Sequence, residues 1–529
     1  MMLAFAIAAM AVAGAATVLE LRRCLMMLQQ NSYRADRYRR WLSQSEDTTS
    51  VNRLVSGAVV LASLSTLSIP WLSLLMVTLV SIPNIVRLAT ARYKKPLVMT
   101  ARARRIFAVA LTLAGIVTAG SVALTVMHGM SLDISAVTVL AIYCFSHLFI
   151  LAANALLMPV EKRINKGYYD DAARILRSMP GLKIIGITGS YGKTSTKHYL
   201  NRILSEHFDV MMTPGSYNTT MGVIRTVREY LKPYNEIFIV EMGAKQPGDI
   251  KEICDLVHPE IGIVTAVGPQ HLESFKTLEN VQRTKFELVD SLPADGLAVV
   301  NDDFPYVASR EVGNVECVRY AVTATGAAQY TATDLSYSPQ GTTFTLNCPG
   351  GESLAFATRL VGECNVSNLM AAIIVALRLG VPVEKIRYAV GQIEQVEHRL
   401  NMKRTPGGVT IIDDAFNSNP TGSRMALDVL AMMKPGRRIV VTPGMIELGE
   451  EQESLNRAFG EKIATSADIA IVVGEYNRAA ITEGIESVEP RTAEVKTADS
   501  FAEAQRMLAG ILQAGDTVLY ENDLPDTFK

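Results

Sequence analysis

The chain has 529 residues, a length that predicts three or four domains, and its net charge of −1 hides a division. Residues 1–166 hold 17 Lys and Arg against 6 Asp and Glu, whereas the remainder holds 34 against 46. A basic, apolar front and an acidic back predict a membrane part joined to a cytosolic part, and the acidic balance argues against nucleic acid as a partner. The six cysteines (Cys24, Cys144, Cys254, Cys317, Cys348 and Cys364) form no CxxC pair, which argues against a disulfide framework or a cysteine metal site.

Apolar runs cover 3–19, 54–70, 71–86, 106–127 and 134–158. A spanning helix needs about 20 apolar residues, with about 17 as a lower limit. The first run has no positive charge before it and Arg22 and Arg23 directly after it, so it reads as an uncleaved helix, although Ala13-Gly14-Ala15-Ala16 is small enough for a cleavage site. Residues 54–86 carry no charge and are too long for one upright span. Segments 20–53, 87–105 and 159–166 contain every basic residue of the region. Only a hairpin at 54–86, turning near Pro70, puts them all on one side of a bilayer. The expected topology is about five helices over 1–160, multi-pass, with the N-terminus outside and the later domains in the cytoplasm. Cys144 and His147 fall in the last run and read as packing or helix–helix hydrogen bonding rather than catalysis.

From 168 to 179 the pattern is amphipathic. Strands are expected at Leu182–Ile187, Ile237–Val240, Ile261–Ala266 and Leu297–Val300, with a helix at Leu278–Leu292. This alternation predicts a doubly wound, mostly parallel α/β domain. Residues 315–361 read as short antiparallel strands and 365–395 as helices. A second βα series follows at Val409–Ile412, Arg438–Val441, Ile469–Val473 and Thr517–Tyr520. The expected division is 1–160, 161–398 and 399–529.

The most informative stretch is GLKIIGITGSYGKTSTKH at 181–198. A strand runs into a loop holding Gly189, Ser190, Gly192, Lys193, Thr194 and Ser195, and then into a helix. Glycines let backbone N–H groups close on phosphates, the helix N-terminus favours negative charge, Lys193 reaches the outer phosphates and Thr194 can ligate Mg²⁺. Position 187 is Ile, so the loop is a TGxxGKT variant of the Walker spacing. A chance glycine turn is the alternative, and the strand-before, helix-after context weighs against it.

Further segments line up in order: EMGAKQPGDI (241–250), TAVGPQHLESF (265–275), RTKFEL (283–288), ECNVSNLMAAI (363–373), HRL (398–400), DDAFNSNP (413–420) and MIELGE (445–450). With the loop, they give the chain a resemblance to the Mur ligases, the bacterial ATP-dependent amide ligases of peptidoglycan precursors, and most of all to the MurF branch, which adds D-alanyl-D-alanine to a UDP-muramoyl tripeptide. The resemblance runs from about 181 to 520. It implies an α/β phosphate-loop central domain, a Rossmann-like α/β C-terminal domain, and ATP and Mg²⁺ as cofactors. It further implies a reaction in which a carboxylate attacks the γ-phosphate and an amine then displaces phosphate from the acyl phosphate. Thr194 and Glu241 match ligands of the Mg²⁺ that bridges the phosphates. His271 and Lys285 match the second metal position, where the family's lysine is carbamylated; a free ammonium would repel the ion, and a carbamate would not. Lys193, Glu241, His271 and Lys285 are thus the expected catalytic set. Asn365 and Asn368 match adenine-side asparagines, with helix capping as the plain alternative. Arg399 matches the arginine that the C-terminal domain turns towards the phosphates, and a surface salt bridge would explain it equally simply. Asp414 and Asn417 match a nucleotide-contacting loop, whose composition an Asx-rich turn also explains.

Three segments depart from the family pattern. The Asn-rich acceptor loop appears as Ser216-Tyr217-Asn218-Thr219-Thr220-Met221-Gly222, keeping only Asn218 and Gly222. The family's GDM is Pro443-Gly444-Met445, and its KGSR is Glu521-Asn522-Asp523-Leu524. About 22 residues separate the last apolar run from the loop strand, too few for the domain with which the family grips UDP. The expectation is that membrane helices replace it, in a bacterial cytoplasmic membrane, and that the acceptor is a muramoyl peptide, lipid-linked or delivered at the membrane surface. Three other readings stay open: a membrane-bound synthetase of another γ-linked peptide or polymer, an ATPase-coupled transporter, and a degenerate scaffold.

Overall fold

The computed structural model describes the chain apart from residues 46, 66–68, 94, 324, 325, 327, 416, 417 and 524–529 and the side chains of 44 and 64. Two compact units are present, residues 1–166 and residues 167–524.

The first unit is helical. Helices Met2–Gln30, Pro70–Thr90 and Ala101–Met127 are long and apolar enough to cross a membrane. The charge-free stretch does divide in two, as Val51–Ser65 and Pro70–Thr90, and Pro70 takes the first helical position, where its missing N–H costs nothing. The last apolar run is not one helix. It breaks at Phe145 into Asp133–Cys144 and Ser146–Arg177, which bend by 71° and pass as a span only together. Each of the five apolar runs is helical over most of its described residues; three helices are clear spans, up to four if the bent pair is one, and Val51–Ser65 is too short to count among them. Ala6, Ala9, Ala13 and Ala16 form a buried stripe on helix Met2–Gln30, in one cluster with Leu74, Val77, Leu140 and Tyr143. Small residues at such spacing let helix backbones approach where no hydrophobic force separates lipid from protein.

The second unit contains two sheets. Strands β1 (Lys183–Thr188), β2 (Val210–Met212), β3 (Ile237–Glu241), β4 (Ile261–Val264), β5 (Leu297–Asn301), β6 (Glu316–Ala321), β7 (Tyr330–Ser338), β8 (Gly341–Asn347) and β9 (Ser353–Thr358) form a sheet in the order β2-β3-β1-β4-β5-β6-β7-β8-β9. The strands from β2 to β7 pair parallel, and only β7-β8-β9 is antiparallel. The expected antiparallel block therefore begins one strand later than 315, because β6 continues the parallel series beside β5. The parallel strands are apolar on both faces, as sheets covered by helices must be. Ile185 and Ile187 point into one core with Ile239, Ile263 and Leu369, and Ile184 points into the other with Phe238, Val240 and Phe286. Truncating such a residue to alanine costs about 2–5 kcal/mol.

The second sheet is built from β10 (Asn401–Arg404), β11 (Thr410–Asp414), β12 (Arg438–Thr442), β13 (Ile469–Val473), β14 (Glu494–Ala498) and β15 (Thr517–Glu521), in the order β10-β11-β15-β12-β13-β14. Only β10 is antiparallel to its neighbour. The expected βα series is present. β10 and β14 were not foreseen, since each is short, polar and at an edge.

Candidate active site

The order β3-β1-β4 makes β1 the point at which successive connections leave in opposite directions. A crevice opens at the carboxyl ends of the strands at such a point. The phosphate loop fills this position between β1 and helix Lys193–Leu204. Gly189 and Gly192 hold φ of +149° and +78°. A Cβ at Gly189 would collide with the Thr265 hydroxyl, and one at Gly192 with the Asn368 amide, so both positions need glycine for conformation and for space. Ser190 is fastened from across the sheet: its N–H donates to the Ala266 carbonyl at 2.7 Å and its hydroxyl to the Gly268 carbonyl at 3.1 Å. Ser195 lies buried in the first helical turn.

Lys193 folds over its own loop and donates to the carbonyls of Gly189 at 2.6 Å and Ser190 at 3.3 Å. Burial lowers its pKa to about 8, with Arg399 pushing the same way and Glu241 opposing. A negatively charged ligand would draw this ammonium off the carbonyls and restore its charge.

Glu241 ends β3 and is the centre of the polar site. Its Oε1 accepts from Asn218 Nδ2 at 3.0 Å and Thr194 Oγ1 at 3.2 Å. Its Oε2 lies 3.0 Å from Lys197 Nζ, a contact not aligned as a hydrogen bond. Burial pushes the carboxyl up, but Lys197, Lys193 and the Asn218 hydrogen bond outweigh it and hold the group below its ordinary value. An ionised, buried carboxylate with an oxygen short of hydrogen bonds, next to a threonine hydroxyl, fits a hard cation such as Mg²⁺.

His271 and Lys285 occupy the neighbouring quarter. His271, at φ +53°, is hydrogen-bonded through Nδ1 to Glu447 from the C-terminal sheet's side, and burial lowers its pKa despite Glu447. Lys285 is 2 % exposed and has no hydrogen-bond or ion-pair partner among the described residues. Burial, then the charge of Lys193, push its ammonium well below the usual lysine range. A neutral buried amine is the form that reacts with CO₂, so the residue fits a carbamate.

Asn365 and Asn368 lie on helix Glu363–Arg378 and face the loop helix. Tyr199 donates to Asn365 Oδ1 at 2.7 Å, and Thr196 to Asn368 Oδ1 at 3.2 Å. Neither caps its helix, whose N-cap is Gly362. Arg399 is half-buried and close enough to Asp414, Glu241 and Glu521 for each to oppose the lowering that burial imposes on it. Asp414 and Glu521 face each other on β11 and β15. Asn417 lies outside the described residues. Sequence reading missed Lys197 and Glu447. Lys197 was legible as the residue one helical turn past Lys193 on the same face; Glu447 stood inside MIELGE but gave no sign of its partner, 176 residues away.

A cation-suited carboxylate beside a glycine loop at a sheet switch point, faced by an arginine from a second α/β domain, defines a nucleoside-triphosphate-using enzyme of two α/β domains. Residues 187–376 match the Mur ligase middle domain and 398–520 the Mur ligase glutamate ligase domain. The UDP-N-acetylmuramoyl-tripeptide–D-alanyl-D-alanine ligase of Escherichia coli is 31 % identical over 317 residues, 59 % of this chain and 69 % of that protein. The structure of MurF from Acinetobacter baumannii superposes with a TM-score of 0.61 at 28 % identity, over 67 % of this chain and 77 % of that one. MurF from Thermotoga maritima, solved in complex with ADP, shares the fold with a TM-score of 0.60 at 24 % identity, over 68 % and 80 %. The chain belongs to the Mur ligase family, and it is a MurF-like ATP-dependent carbon–nitrogen ligase.

Proposed function

We propose that the protein is a membrane-anchored ligase that joins the amine of an amino acid or dipeptide to a carboxylate of a cell-wall muramoyl peptide. The helices of residues 1–160 anchor it with the N-terminus outside. The ATP-binding domain (161–398) and the C-terminal domain (399–529) lie on the cytoplasmic side, and the acceptor reaches them lipid-linked or at the membrane surface. The observation that carries the reading is the convergence of Thr194, Asn218 and Lys197 on Glu241 beside Lys193.

The chemistry follows from the residues. The loop amides and Lys193 hold the triphosphate, and Arg399 adds positive charge from the C-terminal domain. Asn365, Asn368, Asp414 and Asn417 are assigned to the nucleotide. Mg²⁺ held by Thr194 and Glu241 would neutralise phosphate charge. An acceptor carboxylate oxygen attacks the γ-phosphorus, the bond to the bridging oxygen breaks, and ADP leaves. The incoming amine attacks the acyl carbon, gives up a proton and expels inorganic phosphate. At Lys285 the neutral amine adds CO₂ and releases one proton, giving a carboxylate-like group that with His271 suits a second metal ion. Glu447 fixes the imidazole.

Mass spectrometry of the acceptor tests the assignment. Full-length protein in detergent is given ATP, Mg²⁺ and bicarbonate, with UDP-linked or lipid-linked muramoyl tripeptide and D-Ala-D-Ala or single amino acids. The reading expects an acceptor heavier by the amine minus one water, formed together with ADP. ADP formed with every acceptor unchanged in mass would overturn it.

A further inference from the structure

Among the described residues, five charged side chains of the N-terminal unit meet where its apolar helices end, three cationic and two anionic. Glu20, fully buried, accepts from Arg23 Nη2 at 2.7 Å and Arg53 Nη2 at 2.6 Å. Asp47 lies 2.7 Å from Arg23 Nη1 and 3.4 Å from Arg53 Nη2. Arg53 also donates through Nη1 to the Cys144 carbonyl at 3.0 Å and meets His147 Nδ1 at 2.9 Å. Cys144 and His147 flank the break at Phe145, so Arg53 ties down the backbone that the 71° bend releases. Together with Arg87, three guanidinium groups face two carboxylates.

Arg87 is the uncompensated one. It lies 3.8 Å from Glu20 Oε2, an oxygen that already accepts from Arg23 Nε at 3.0 Å. Its Nη2 donates to the Tyr143 hydroxyl at 3.2 Å, its Nε is buried without a hydrogen-bond partner among the described residues, and its side chain is 38 % exposed. A guanidinium whose charge its carboxylate neighbours do not offset is relieved by an anion, and its exposed Nη edge can match two phosphate oxygens. Arg87 stands in the last turn of helix Pro70–Thr90, and Val86 and Ile82, just before it, are exposed. The end of an apolar helix in a basic segment is the level of lipid headgroups, and an apolar surface leading up to it suits a hydrocarbon chain.

We propose that Arg87 and Tyr143 form a headgroup site for a phosphate-bearing lipid, with Arg23, Arg53, Glu20 and Asp47 as its fixed frame. The proposal rests on the reading that these helices lie in a membrane, and it names how an acceptor would be held there.

Native mass spectrometry of the full chain in detergent tests it, with polyprenyl phosphate, the matching uncharged polyprenol and inorganic phosphate as probes. Arg87→Gln is compared with Arg87→Lys and with Arg92→Gln, an exposed arginine of the same basic segment. Polyprenyl phosphate should bind saturably, about tenfold more weakly to Arg87→Gln, at an intermediate level to Arg87→Lys, and unchanged to Arg92→Gln. Unchanged helical far-UV circular dichroism and retained detergent-phase partitioning show that each variant keeps its helical unit folded. Equal binding of polyprenol, equal binding of inorganic phosphate, full binding by Arg87→Gln, or equal losses at positions 87 and 92 would each overturn the site. Detergent-phase partitioning is scored separately. A chain recovered from the aqueous phase defeats the membrane reading itself, whereas a detergent-phase chain indifferent to Arg87→Gln defeats the headgroup site alone.

Discussion

Lys197 and Glu241 form an ion pair at 3.0 Å with both side chains out of solvent, 0 % and 1 % exposed. Lys197 also donates to the Gly215 carbonyl at 2.6 Å. One ammonium therefore joins the loop helix, the end of β3 and the segment before Asn218. Removing one partner of a buried pair leaves a bare charge and costs about 3–5 kcal/mol. Lys197→Met should lower the thermal stability of the protein and raise the Mg²⁺ concentration needed for half-maximal activity. Unchanged melting with an unchanged Mg²⁺ requirement would show that Glu241 does not depend on Lys197.

Thr194→Ala should keep the fold, since Thr194 is only partly buried, and lower kcat on the order of 100-fold or more, the scale for losing one preorganised group at developing charge. Glu241→Gln should do the same while raising the Mg²⁺ requirement. Steady-state kinetics with Mg²⁺ titration checks both. Losses confined to KM for the acceptor would place the pair away from the phosphates.

Burial holds Lys193 at about 8 in the free enzyme, and a bound triphosphate must raise it. Below about pH 8 the lysine is already charged and ATP affinity should be flat. Above it, binding must take up a proton, and affinity should fall by up to about tenfold per pH unit. Calorimetry at alkaline pH in buffers of different ionisation heat measures the uptake directly. Lys193→Arg, always charged, should abolish it; equal uptake in that variant would assign the proton elsewhere.

Asp414 and Glu521 titrate against each other. Burial, then the neighbouring carboxyl, raise Glu521 well above its usual value; burial raises Asp414 to about 6, against the pull of Arg399. An acid whose folded pKa lies above its unfolded one stabilises fully below the unfolded value and loses that contribution as pH rises through the folded one. Glu521→Gln retains an oxygen for the Ser418 and Ser423 hydroxyls and removes the like charge. The variant should melt above the wild type at pH 8, with the gap closing towards pH 5. A gap independent of pH would contradict the coupling.

Much of the fold was legible because its strands are short apolar runs between turn residues, and β1, β3, β4 and β5 fall where those runs stand. β2, β6, β10 and β14 show the limit: pairing direction and polar edges are set by partners distant in sequence, which periodicity does not report. The break at Phe145 was hidden for a related reason. The run 134–158 carries no charged residue, and the bend is held by Arg53, 91 residues from the Cys144 carbonyl it binds. At the site, Gly189, Gly192, Lys193 and Thr194 were readable from local spacing. Thr194 and Glu241 were paired only by the resemblance, as ligands of one Mg²⁺ ion, and the fold brings them into contact. Lys197 as a partner of Glu241, and Glu447 as a partner of His271, follow only from the folded arrangement.

On this mechanism ATP turnover is coupled to joining a carboxylate and an amine and runs through Lys285. Phosphate release by the full-length protein in detergent tests it most directly, with ATP, Mg²⁺ and bicarbonate, with muramoyl-peptide acceptors and amines together or singly, and with Lys285→Ala alongside. Release is expected only when acceptor and amine are both present, with loss on removing CO₂ and bicarbonate and in Lys285→Ala. Brisk release without acceptor, unchanged in Lys285→Ala, would contradict it.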